Sequence, residues 1–156
     1  MGYTHYWTFE PNKVQNTEDL RKRFKRASRY VKRFVEFMNE NKSDVYKICG
    51  GIGEGKPIIN ESEVWFNGDG SQGLDHETFS LHWNRPTYHG KWNDFCKTAR
   101  KPYDIVVCFS LLIFAEIFPE AFHFSSDGGM EDEEWQRAVE LYEAFTGFEA
   151  KTNTLK

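Results

Sequence analysis

The sequence predicts a single α+β domain with a mainly antiparallel sheet and about three helices in a single layer on one face of it. Three observations support this. The chain has 156 residues, the length of one domain. Strand-like and helix-like segments follow the order β-α-β-β-β-α-β-α, with hairpin turns in the middle of the chain. Aromatic residues make up 17% of the chain, so its core is expected to consist largely of rings.

The first predicted strand runs from residue 3 to residue 9, where aromatic and polar residues are mixed and a proline follows. Because side chains alternate across a strand, Tyr3, His5 and Trp7 share one face and Tyr6 points to the other. Two interpretations of the three-ring face remain open. It is either part of the core or the wall of a cleft suited to a planar ring such as a nucleobase.

A helix is predicted from about Thr17 to Asn39, because Thr17 can cap it, acidic residues follow, and apolar residues recur at helical spacing. This segment also holds eight of the twenty basic residues of the chain within thirteen positions. Such a basic ridge is either a solvated helix face or a surface that binds a partner or phosphate. Its members are Arg21, Lys22, Arg23, Lys25, Arg26, Arg29, Lys32 and Arg33.

The middle of the chain predicts short strands around a glycine-rich loop. Residues Gly50 to Lys56 match the pattern GxxxxGK of phosphate-binding loops. However, Pro57 stands where such loops have Ser or Thr, and an extended segment follows instead of a helix, so we predict an ordinary loop. The predicted strands around it are Val45–Cys49, Ile58–Ile59, Glu63–Asn67 and Thr78–Trp83.

The second half predicts two helices and one strand. Trp92 to Ala99 is ambiguous between a loop and a helical turn. The later elements are a buried helix from Tyr103 to Phe118, a strand from Phe122 to Ser126, and a final helix from Glu131 to Phe145. We expect residues 1–149 to form the domain and residues 150–156 to be a flexible tail.

Composition excludes several classes of protein. We find no secretory signal and no apolar run long enough to span a bilayer. The three cysteines lack CxxC spacing, which favours a reducing compartment, and we expect a cytoplasmic protein. The net charge of −4 disfavours a nucleic-acid field over the whole protein.

The segment from Phe95 to Asp104 is the best candidate for a ligand site, because three cations and a hydroxyl precede the buried helix, whose first N–H groups favour an anion. Arg100 could bind a phosphate or carboxylate with two hydrogen bonds, and Asp104 could cap the helix or orient Arg100. Equally, the segment could be a surface loop whose cations pair with the acidic patches near Asp127 and Glu131. The predicted ligand-binding residues are Tyr3, His5, Trp7, Lys97, Thr98, Arg100, Lys101, Tyr103, Asp104, Ser126 and Asp127.

Catalytic and metal-binding patterns are weak. His5, Glu77 and Asp127 could supply general acid–base groups, but no nucleophile elbow or HExxH motif is present. His76, Glu77, His82, His89 and Asp127 match no zinc spacing, so we predict no metal and no cofactor.

The chain resembles a family of small proteins found in phages and bacterial genomes. The resemblance rests on Met1–Trp7, on Phe95–Asp104 and on Ser125–Gly128. It implies a phage or mobile-element setting, hence a host cytoplasm, and it points to the same aromatic and basic segments without naming a ligand.

Three functional hypotheses follow. The first is a non-enzymatic protein that binds a nucleotide-like or phosphorylated small ligand, for instance to sequester an immune signal of the host. The second is an inhibitor that docks on a host protein or, less favoured, on nucleic acid through the basic ridge. The third is a hydrolase of nucleotides or phosphate esters. Whether the chain forms a homo-oligomer is left open.

Overall fold

A computed structural model describes residues 3–41, 43–84 and 91–155, and Met1, Gly2 and His89 named above lie outside these ranges. The described residues form an α+β fold, as predicted. In chain order its elements are β1 (Thr4–Phe9), α1 (Thr17–Asn41), β2 (Ile48–Cys49), β3 (Ile58–Ile59), β4 (Glu63–Gly68), β5 (Phe79–His82), β6 (Trp92–Lys97), α2 (Asp104–Ile117), β7 (Phe122–Ser126) and α3 (Glu133–Thr146).

The strands form two antiparallel sheets instead of the one sheet that we predicted. In the first sheet, β1 lies between β6 and β7. In the second, β4 pairs with β2, β3 and β5. The first sheet therefore combines the beginning of the chain with two strands from its second half, and this arrangement positions the candidate site.

Two segments differ from the sequence prediction. Trp92–Lys97 is a full strand, because it pairs along β1 with Tyr6 opposite Phe95. Phe95 is a large ring but is 50% exposed, so the segment lacks the alternation of apolar and polar residues that predicts a strand. The strand predicted at 45–49 is limited to Ile48–Cys49, because residues 44–46 form a 3-10 helix. The Ser43 side chain caps this helix by accepting a hydrogen bond from the Val45 N–H.

Helix α2 is the centre of the core. All of its residues except Glu116 are buried, which agrees with the uniformly apolar sequence. Helices α1 and α3 pack against it through aromatic rings. Phe109 of α2 stacks on Phe34 of α1 with ring centroids 4.1 Å apart, and its edge contact with Tyr142 of α3 measures 5.5 Å.

The segment predicted as a flexible tail contacts the domain. The Ala150 N–H donates to a Glu143 carboxylate oxygen at 2.8 Å, Lys151 lies 3.8 Å from the Glu116 carboxylate, and Leu155 packs against the core. Removing the apolar surface of Leu155 from water stabilises this packing. The residues around Leu155 in the sequence are polar, so the sequence alone does not indicate the contact. In the described part of the chain, no helix has both the length and the apolar character needed to cross a membrane.

Candidate functional site

The three-ring face of β1 belongs to the core, the first of the two interpretations that the sequence left open, and its rings do not line an open cleft. Tyr3, His5 and Trp7 are 4%, 0% and 3% exposed. Trp7 packs against Phe79 at 4.9 Å between ring centroids and takes no part in the site. Tyr3 and His5, however, contact the segment before α2, so part of the predicted cluster does come together.

His5 is the centre of a buried polar network. It lies opposite Ser126 in the β1–β7 pairing, and its Nδ1 is 2.8 Å from the Ser126 hydroxyl oxygen. Its Nε2 is 2.6 Å from Oδ1 of Asp104, the first residue of α2. Strand pairing and the start of α2 thus place a serine, a histidine and an aspartate in one chain of hydrogen bonds.

The hydrogen bonds of Ser126 determine where the protons of this chain lie. Its hydroxyl oxygen accepts from the Gly128 N–H at 2.9 Å and from the Trp135 indole N–H at 3.0 Å. Because a hydroxyl oxygen has two acceptor positions, its own proton is donated to Nδ1 of His5. A neutral His5 then carries its proton on Nε2 and donates it to Asp104.

Asp104 accepts hydrogen bonds from two more buried side chains. The Thr98 hydroxyl donates to Oδ1 at 2.5 Å, and the Cys108 thiol lies 3.6 Å from Oδ2. Burial raises the pKa of the Cys108 thiol well above its usual value, and the nearby Asp104 carboxylate raises it further, so the thiol stays protonated. Cys108 was not among the predicted residues, although its position four residues after Asp104 places both on one face of α2.

His5, Asp104 and Cys108 also have the side-chain types of a metal site, with their ligand atoms within 4.8 Å of one another. Metal binding requires a lone pair on the Nε2 atom of His5. In the hydrogen-bond arrangement derived above, that atom carries a proton donated to Asp104. A metal ion at this position would have to displace that proton and the hydrogen bond to Asp104.

Tyr3 covers this network. Its hydroxyl is buried without a hydrogen-bond partner among the described residues, and burial raises its pKa far above the usual value. The ring lies against Gly128, where an added Cβ would be 2.1 Å from the Tyr3 hydroxyl oxygen. On the ring, the Arg100 guanidinium carbon is 4.0 Å from the centroid.

The turn from Thr98 to Lys101 is strained. Ala99 and Arg100 have φ values of 51° and 57°, which residues with a Cβ rarely adopt. The predicted free N–H groups at the start of α2 are already used, because the N–H of Asp104 donates to the Lys101 carbonyl and that of Val106 to the Tyr103 carbonyl. An anion would therefore be bound here by side chains.

A cleft of about 290 Å³, which we call the Arg100 cleft, opens where this turn meets the start of α3. Arg100 hydrogen-bonds to Glu134 and lies 4.0 Å from the Asp132 carboxylate, as the alternative of pairing with acidic residues anticipated. The lining consists of Tyr46, Arg100, Lys101, Pro102, Asp104, Ile105, Glu133, Glu134 and Arg137. The sequence analysis did not identify Tyr46 and Arg137, because both are far from Arg100 along the chain.

The other two cations of the cleft contact neutral oxygen atoms. The Lys101 ammonium donates to the Gly73 carbonyl at 3.1 Å, and the Arg137 guanidinium donates to the Tyr46 hydroxyl at 2.8 Å. The Arg137 guanidinium carbon also lies 5.2 Å from the centroid of the Tyr46 ring. Within the described residues, neither cation has a carboxylate within salt-bridge distance.

Three further predicted residues lie away from the cleft. Lys97 is exposed on the other face of the sheet, where its ammonium is 5.9 Å from the Phe95 ring. Tyr103 is buried and donates to the Glu77 carbonyl. Asp127 accepts from the Thr4 N–H at 3.1 Å and from the Tyr6 hydroxyl at 3.2 Å. None of the three lines the Arg100 cleft. Tyr103 and Asp127 hydrogen-bond within the fold, and Lys97 lies on the solvent side of β6.

A larger concavity of about 600 Å³ lies on the exposed face of the first sheet, beside Tyr6 and Phe95. Its lining includes Asp94 but no lysine or arginine. Of these two concavities, the Arg100 cleft is the one with lysine and arginine in its lining, together with the carboxylates of Asp104, Glu133 and Glu134.

Comparison of the chain with protein-family models, with curated proteins and with solved structures gave no match. The functional conclusion depends on the fold and the geometry of the site.

Proposed function

We propose that the protein binds a small phosphorylated, nucleotide-like ligand in the Arg100 cleft. The observation that supports this is the convergence of three cations, Arg100, Lys101 and Arg137, on one cleft that also has a tyrosine ring in its wall. Among the described residues, neither Lys101 nor Arg137 has a carboxylate within salt-bridge distance, so a phosphate would gain two charge-assisted hydrogen bonds without displacing one.

The three cations have different roles in this proposal. Glu134 already neutralises Arg100, which we expect to hold the wall of the cleft. Lys101 and Arg137 bind the phosphate. A base would stack on the face of the Tyr46 ring that the Arg137 guanidinium does not cover, because aromatic rings stack on one another at little entropic cost.

The network behind the cleft favours binding over hydrolysis. Ser126, His5 and Asp104 are the residue types of a hydrolytic triad, but His5 is fully buried and the Ser126 oxygen already has three partners. Ser126 is absent from the lining of the cleft. In the phage setting that the resemblance implies, such a protein would sequester a nucleotide immune signal of the host.

Isothermal calorimetry against mononucleotides, dinucleotides and cyclic nucleotides tests this proposal. Lys101→Ala and Arg137→Ala should each weaken binding by about 1.5–3 kcal/mol, or about tenfold to 150-fold. Lys56→Ala, which removes an exposed cation from the glycine-rich loop, is the matched control and should bind like the wild type. Absence of wild-type binding to the whole panel refutes the proposal, and conversion of the ligand during long incubation favours the hydrolase instead.

A further inference from the structure

Helix α1 carries a continuous basic face directed away from the core. Seven of its cations are exposed and lie within residues 21–33. With 3.6 residues per turn, they fall within an arc of about 140° and along about 18 Å of helix. The buried residues, among them Phe24, Val31 and Phe34, occupy the opposite side. The basic face consists of Arg21, Lys22, Lys25, Arg26, Arg29, Lys32 and Arg33.

Few of these charges are neutralised within the protein. Among the described residues, only Lys22 of the seven has a carboxylate within salt-bridge distance, that of Glu18 at 3.4 Å. Arg23, which we predicted as part of the ridge, instead turns toward Glu120 and the Ile117 carbonyl. Like charges three and four residues apart destabilise a helix, so the basic face repels itself unless an external anion neutralises it.

The composition of the basic face indicates which kind of polyanion it fits. Protein interfaces have apolar or aromatic centres and contain few lysines, whereas all seven side chains here are lysine or arginine. Membrane-surface helices insert an apolar face, and the apolar face of α1 is buried against α2. Binding to a regular row of phosphates requires neither an apolar centre nor an exposed apolar face of the helix. Duplex DNA carries one phosphate per about 1.7 Å of its axis, counted over both strands, so a length of about 18 Å carries about ten phosphates around the duplex.

We propose that the basic face of α1 binds the phosphate backbone of duplex nucleic acid without sequence preference. This is a second activity, independent of ligand binding in the Arg100 cleft. If all seven cations contact phosphates, the logarithm of the association constant should fall against the logarithm of salt concentration with a slope of about −6.

Fluorescence anisotropy of a labelled duplex of about 20 base pairs, measured between about 50 and 200 mM NaCl, tests this, because affinity that depends on phosphate contacts falls steeply over that range. In Arg29→Glu/Arg33→Glu the slope should become shallower by about 2, and affinity at low salt should fall by at least tenfold. Lys56→Glu/Lys91→Glu makes the same change in net charge at exposed positions outside α1 and should retain the wild-type slope. Circular dichroism confirms that each variant is folded.

The proposal is overturned if the wild type does not bind the duplex at low salt, or if the two double variants lose affinity equally. It is also overturned if polyglutamate or phosphatidylserine vesicles compete as well as unlabelled duplex at equal charge, because the face would then serve an acidic protein or a membrane. A second duplex of unrelated sequence should bind with the same affinity.

Discussion

Ser126→Ala should destabilise the protein strongly, because within the described part of the chain the Ser126 hydroxyl is the one hydrogen-bond partner of two groups on fully buried side chains. These groups are Nδ1 of His5 and the indole N–H of Trp135, both on residues with 0% exposure. Leaving a buried polar group without a partner costs about 1–3 kcal/mol. Two such groups give a loss of about 2–6 kcal/mol in the free energy of unfolding, a large part of the stability of a typical domain.

Ser125→Ala is the matched control, since Ser125 is the preceding residue of β7 and points to the exposed face. Its change should stay within about 0.5 kcal/mol. Urea unfolding followed by tryptophan fluorescence measures both variants, with circular dichroism to detect a Ser126→Ala protein that is unfolded without urea. A Ser126→Ala variant as stable as Ser125→Ala would refute the network, because it would mean that the hydroxyl satisfies no buried group.

Two other predictions concern titrating groups. The hydrogen bond from Arg23 holds the pKa of Glu120 below its usual value of 4.5, so its stabilising contribution is present above pH 4.5 and is lost as the pH falls through the lowered value. Glu120→Gln should therefore reduce the free energy of unfolding by less than about 1 kcal/mol at neutral pH, since the pair is half-exposed, and a difference that persists at low pH would contradict this. Burial raises the pKa of the Cys96 and Cys108 thiols, so neither should react quickly with a disulfide reagent at pH 8 in the folded protein. Rapid labelling of Cys108, located by mass spectrometry, would show that the network is open to solvent.

The fold could largely be predicted from the sequence where periodicity was strong. Helix α1 has an unbroken apolar stripe, and α2 is apolar on all sides, so both were predicted to within a few residues. Strand β6 was missed because Phe95, a large ring, faces solvent. The division into two sheets depends on which strands pair, and pairing between strands far apart in the chain leaves no local signal.

The candidate site could be predicted only in part, for the same reason. Local motifs identified Arg100, Lys101 and Asp104, which are close in the chain. Alternation correctly placed Tyr3, His5 and Trp7 on one face of β1, but both faces carry rings, so the pattern did not indicate which face is buried. The residues that complete the cleft come from α3 and from the 3-10 helix at 44–46, whose sequences contain no ligand-binding motif.

The strained turn connects the buried network to the Arg100 cleft. Two successive residues with positive φ cost roughly 1–2 kcal/mol each, so the turn keeps this conformation only if neighbouring contacts hold it. Thr98 supplies three of them: its N–H donates to the Tyr3 carbonyl, its carbonyl accepts from the Lys101 N–H, and its hydroxyl donates to Asp104. The network that buries His5 therefore also holds the backbone of Arg100 and Lys101 in place. If the cleft binds an anion as we propose, a turn held in this conformation would lose less conformational entropy on binding than a mobile turn.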